Sequence, residues 1–158
     1  MNEKLLLKGK RQLLKALNRL QYSYSKIEKL GELAGYGAIS DVDDDVLETW
    51  EGLSSRFGRA AEIFFNNYLR AQVLLGDPGF RGTFRDLLNQ SQKLKLVKDT
   101  SIWLKIRELR NKAAHEYDEE SLEQFFTDIK KYTPILLELK NEIFLSDDNH
   151  NRDDKEDD

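Results

Sequence analysis

Apolar residues return at helical intervals along nearly the whole chain, and this pattern limits the fold more than any other feature. Leu6, Leu13, Leu17, Leu20, Ile27, Leu30 and Leu33 recur at steps of three, four and seven, which predicts one long amphipathic helix ending near Gly35-Tyr36-Gly37. Ser40-Asp41 offers an N-cap with acids behind it. A second long helix follows, carrying Val46, Leu47, Trp50, Leu53, Phe57, Ala61, Phe64, Phe65, Tyr68 and Val73 and stopping before Gly76-Asp77-Pro78-Gly79. Its stripe of Trp50, Phe57, Phe64, Phe65 and Tyr68 has the spacing of a packed core, a reading favoured over a base-stacking platform.

Thr83 with Asp86 reads as a capping box opening a short helix with Phe84, Leu87 and Leu88. Asp99 or Thr100 caps the next, whose apolar face is Ile102, Trp103, Ile106 and Leu109. That helix is expected to run on into the segment from Arg110 to Tyr117. Ser121 and Gln124 form another capping box, opening a final helix from Leu122 to Ile143 that Pro134 should bend. Strand alternation and internal repeats are absent from the pattern. The expected fold is all-α, an up-and-down bundle of four to five helices with apolar stripes long enough to leave a dimer face.

The 158 residues fit one core-bearing domain, taken as 1–145, followed by an acidic tail, 146–158, expected to be disordered. The tail accounts for the net charge of −4, since Asp147, Asp148, Asp153, Asp154, Glu156, Asp157 and Asp158 face only Arg152 and Lys155. Elsewhere the basic residues cluster. Lys93, Lys95, Lys98, Lys105, Arg107, Arg110 and Lys112 share one stretch with only Asp99 and Glu108, which is either a solvated helix face or an anion-binding surface. Without cysteine there is no disulfide, thiol nucleophile or thiolate-bound zinc, and only His115 and His150 supply imidazoles. No cofactor or metal is expected. No apolar leader or window of roughly 18 apolar residues points to a membrane, so a cytoplasmic protein is expected.

The candidate site is Arg110-Asn111-Lys112-Ala113-Ala114-His115-Glu116-Tyr117. On a continuous helix, steps of seven and four would set Arg110 beside Tyr117 and Asn111 beside His115. Arginine offers a fork of donors matched to phosphate oxygens, histidine exchanges protons near neutrality, and asparagine can orient either. With Lys105, Arg107 and Lys112 as supporting cations, these groups suit a phosphodiester. RNA carries its own 2′-hydroxyl nucleophile, so cleavage needs a base, an acid and a cation but no metal. One histidine per chain is short of that requirement, and two copies of His115 facing one cleft would meet it. The same Arg and His spacing also arises by chance on charged helices, and the residues alone leave both readings open.

This octapeptide resembles the Arg-x4-His-x-Tyr motif of the HEPN superfamily in its HepT-like form. The helix order, the Arg59-Ala60-Ala61-Glu62 region, the Phe84 to Lys93 segment and Trp103-Leu104 are similar as well. The likeness covers roughly Leu5 to Phe144, with only the octapeptide specific. It implies a homodimeric, metal-independent endoribonuclease, the toxin of a type VII-like toxin-antitoxin pair, with a composite active site at the dimer cleft. By position, Arg110 would stabilise the phosphate, His115 would be the acid or base, and Asn111 would be the polar residue following the arginine. The implied antitoxin is a minimal nucleotidyltransferase that adenylylates Tyr117. The alternative is a non-catalytic nucleotide- or substrate-binding subunit of a nucleotidyltransferase complex. A third reading is a helical adaptor whose motif packs an interface.

Overall fold

In the computed structural model, the described residues are 2–31, 41–112 and 116–153, with side chains described up to Ile143. Helix α1 spans Asn2–Leu30 and buries Leu13, Leu17, Leu20 and Ile27. It ends sooner than the leucine pattern predicts, because Gly31 adopts a positive φ of 79°. That left-handed conformation closes a helix and is open to glycine without steric cost. Leu33 and Gly35 to Gly37 lie outside the described residues, as does Ser40.

The N-cap of the second helix is Asp43 rather than Ser40 or Asp41, and α2 runs over Asp44–Ile63. The chain then makes a π-helical turn, Phe64–Leu69, before resuming as α3, Arg70–Gly76. The predicted single helix is therefore continuous in course but carries an inserted π turn, a feature that periodicity of 3.6 does not reveal. The aromatic stripe is core: Trp50, Phe57 and Phe64 are at most 2% exposed, and Phe64 meets Trp103 at 4.6 Å between ring centroids.

Helix α4, Phe84–Lys93, opens with the predicted capping box, Thr83 and Asp86 each accepting from the other's backbone. Asp99 caps α5, Thr100–Asn111, by accepting from Ser101 N at 3.0 Å. Helix α6 spans Glu119–Asp153 and contains Pro134. Its cap is Asp118, whose Oδ1 accepts from Ser121 N at 2.8 Å, so Ser121 is the third residue of the helix and not its cap. The carboxylate has the advantage of charge at a helix N-terminus. The backbone of α6 runs on to Asp153.

Residue contacts set the topology. Gly9 and Gln12 of α1 meet Asn67, while Arg19 and Ser23 meet Arg56, so α1 and α2 are antiparallel. Trp103 of α5 meets Phe64, while Arg110 meets Gly58, so α5 is antiparallel to α2. Helix α6 packs against α1, α2 and α5, and α4 bridges α3 and α5. The result is the expected all-α bundle, and among the described residues there is no strand and no helix long and apolar enough to cross a membrane.

Candidate functional site

Helix α5 turns Trp103, Ile106 and Leu109 into the core, which leaves Arg107, Arg110 and Asn111 on the side toward α2. α5 stops at Asn111, and Lys112 is extended at φ −99°, ψ 128°. The sequence-based pairing of Arg110 with Tyr117 across two helical turns does not hold. A helix continued to Tyr117 would carry that ring about 9 Å further along the axis, away from Phe125, on which it is stacked with centroids 4.6 Å apart. Tyr117 instead packs against α6. Ala113, Ala114 and His115 lie outside the described residues, so the pairing of Asn111 with His115 does as well.

Arg110 lies across α2 at Gly58. A β-carbon built at Gly58 would come within 3.0 Å of Arg110 Cδ, so the missing side chain makes room for the arginine stem. One turn further along the same face, Glu62 Oε2 accepts from Arg110 Nη2 at 2.7 Å. The ion pair is half-exposed, at 37% and 51%, and so contributes little to stability. Its consequence is geometric: it fixes the guanidinium along the wall of a groove. The Nε of Arg110 is buried and has no hydrogen-bond partner, so one donor of the fork remains unused.

The groove has a volume of about 710 Å³ and lies between α2 and the end of α5. Arg110, Asn111 and Lys112 form one wall, with Ser54, Ser55 and Arg59 opposite. Three of the predicted residues are thus brought together. Arg107 belongs to an adjoining pocket of about 230 Å³, which also takes in Asn66, Arg70 and Arg110. Its guanidinium is 3.9 Å above the Phe84 ring, a placement that holds the cation in a fixed orientation. Lys105 lines neither space and pairs with Glu108 at 3.6 Å.

Tyr117 stands just behind the groove. Both Phe125, its stacking partner, and Lys112, whose Nζ is 5.4 Å from its ring centroid, line the groove itself. Burial pushes the Tyr117 phenol above its ordinary value, and the positive charge of Lys105 opposes this. The phenol is therefore neutral at physiological pH and needs an external base to act as a nucleophile.

Sequence reasoning missed the α2 contribution. Gly58 and Glu62 are 52 and 48 residues from Arg110, and nothing in the local pattern of either marks it as a partner. The region Arg59 to Glu62 figures in the family likeness, but without a role for any of its residues.

No curated protein and no solved structure matches the chain. The family described as nucleotidyltransferase substrate binding protein like matches residues 11–144, a span that takes in α2, the groove and Tyr117. The chain belongs to the nucleotidyltransferase substrate-binding protein-like family.

Proposed function

We propose that this protein works as the partner of a nucleotidyltransferase and that its groove takes the phosphodiester of RNA. The reading is of a metal-independent endoribonuclease toxin silenced when the transferase adenylylates Tyr117. The observation that carries it is Arg110 laid across Gly58 and half-exposed at the groove, on the motif that also holds His115 and Tyr117. In the reaction, a base removes the 2′-hydroxyl proton, that oxygen attacks phosphorus to form a cyclic phosphate, and the 5′-oxygen leaves with a proton from an acid. Arg110 offsets the charge gathering on the phosphate oxygens. His115 is the base or acid, and a second His115 from the other subunit of a homodimer is the complementary group. Asn111 orients the phosphate. Modification at Tyr117 would put a nucleotide beside Phe125 and Lys112, filling the groove and reversing its charge.

A second reading is favoured by the family itself: a subunit that binds nucleotide or substrate for the transferase without cutting RNA. The two separate cleanly. Purified unmodified protein should cleave RNA in the presence of a chelator, and the His115→Ala variant should not. Unmodified dimer that is inert on diverse RNAs would leave the binding-subunit reading. Expressed with its transferase, the chain should gain a nucleotide-sized mass that Tyr117→Phe abolishes. If Tyr117→Phe retains the added mass, the assignment of the modified residue fails.

Gly58 gives a further prediction. Gly58→Ala should raise helix stability by about 0.5–1 kcal/mol, because alanine is the better helix former. Its β-carbon must lift the Arg110 stem by a few tenths of an ångström, since the contact would otherwise be 3.0 Å. A melting temperature that holds or rises while RNA affinity falls several-fold is the expected pair of results. Unchanged RNA binding would mean that the arginine is not positioned by this contact.

A further inference from the structure

A second groove, of about 450 Å³, opens directly from the first, sharing Arg59 and Glu62 with it. It runs between α1 and α2 and is lined by Gln12, Lys15, Arg19 and Asn67. Lys15, Arg19 and Arg59 are exposed and make no ion pair with any described residue. The acid in this groove, Glu62, is already engaged by Arg110. The lining therefore sets three cations without an ion-pair partner against this one paired acid.

The same helix face continues to Tyr22, which at 62% is the most exposed of the large apolar and aromatic side chains described. Arg56 and Lys26 each lie 5.7 Å from its ring centroid. Arg56 is held there by hydrogen bonds of 3.0 Å to the Arg19 carbonyl and the hydroxyl of the buried Ser23. Gln12, Lys15, Arg19 and Tyr22 follow steps of three and four, so they form one line along about 15 Å of α1. Asp45 and Glu48 line the same pocket as Tyr22, Lys26 and Arg56, so acidic side chains enter the track at this end.

An exposed ring flanked by cations, in line with unpaired basic side chains, is the arrangement that binds single-stranded nucleic acid without reading its sequence. We propose that the α1–α2 groove is the track along which single-stranded RNA reaches Arg110. Lys15, Arg19 and Arg59 hold successive phosphates and Tyr22 stacks an unpaired base. This rests on the reading of the Arg110 groove as a phosphodiester site.

The test uses full-length His115→Ala protein and a fluorescent single-stranded RNA of about 8 nucleotides, with affinity followed over a range of salt concentrations. Lys15→Gln combined with Arg19→Gln should weaken binding about tenfold and make the slope of log affinity against log salt shallower by about 1.4. Tyr22→Ala should weaken binding by a similar factor with no change in slope, because stacking releases no counterions. All three side chains are exposed, so melting temperatures should hold and confirm folding. If both variants bind RNA as tightly as their parent while Arg110→Ala does not, the track is wrong and the Arg110 reading stands. If the parent itself binds no RNA, both fall. Normal RNA affinity with lost association to the nucleotidyltransferase would make this face a protein contact and overturn the track.

Discussion

Arg110→Ala is expected to reduce RNA cleavage by about 100- to 1000-fold, the usual cost of removing one well-placed donor from a developing oxyanion. Arg110→Lys should recover little of it. A lysine ammonium is a compact charge without a fork, and it cannot donate to Glu62 on one side while offering a phosphate the paired planar donors of a guanidinium on the other. The loss should not reflect unfolding. The Arg110–Glu62 pair is more than a third exposed on both sides, and pairs of that kind contribute about 0–1 kcal/mol once solvent screening is counted. Melting temperature should therefore move by no more than a few degrees. Glu62→Gln separates the two roles of the pair, since it keeps a hydrogen-bond acceptor but removes the charge. Cleavage that survives Glu62→Gln but not Arg110→Ala would assign the glutamate to placement alone. Full cleavage by Arg110→Ala would remove the arginine from the reaction and with it the ribonuclease reading.

The bundle was legible in the sequence because its stabilising pattern is local. Leu13, Leu17 and Leu20 on α1, and Trp50, Leu53 and Phe57 on α2, lie one helical turn apart and are all buried. Thr83 and Asp86 were legible for the same reason, since a capping box closes within four residues. The π turn at Phe64–Leu69 was not, because its residues keep an apolar pattern compatible with an ordinary helix. The end of α5 at Asn111 was hidden as well, since Tyr117 stacks on Phe125, a contact made by α6. The site shows the same division. Arg110, Asn111 and Lys112 could be found because they are consecutive, whereas Gly58 and Glu62 come to them through packing. Lys105 illustrates the converse: it shares a basic stretch with Arg110, but helical rotation carries it toward Glu108 and away from the groove.

Gly9→Ala is expected to destabilise the fold, although it adds only one methyl group and replaces a poor helix former. Gly9 is buried where α1 crosses the π turn, and a β-carbon there would stand 2.1 Å from the Asn67 carbonyl oxygen and 2.7 Å from its carbon. Both atoms are backbone, so no side-chain rotation can relieve the clash. The helices must separate or the π turn must shift. Overpacking of this kind costs about 1–3 kcal/mol, against a gain of about 1 kcal/mol from replacing glycine in a helix. Because the obstruction is rigid, the net effect should fall in the upper half of that difference, a loss of about 1–2 kcal/mol, or a few degrees in melting temperature for a domain of this size. The functional effect should exceed the thermal one. Asn67 hydrogen-bonds Gln12 at 2.9 Å within the α1–α2 groove, and Asn66 lines the pocket beside Arg107 and Arg110. Moving the π turn therefore displaces both. Gly58→Ala provides the contrast, since its β-carbon meets only the flexible stem of Arg110 and should leave the fold intact. Denaturant unfolding of the two variants side by side decides the matter. A Gly9→Ala protein as stable as its parent would mean that α1 and the π turn are not in close backbone contact.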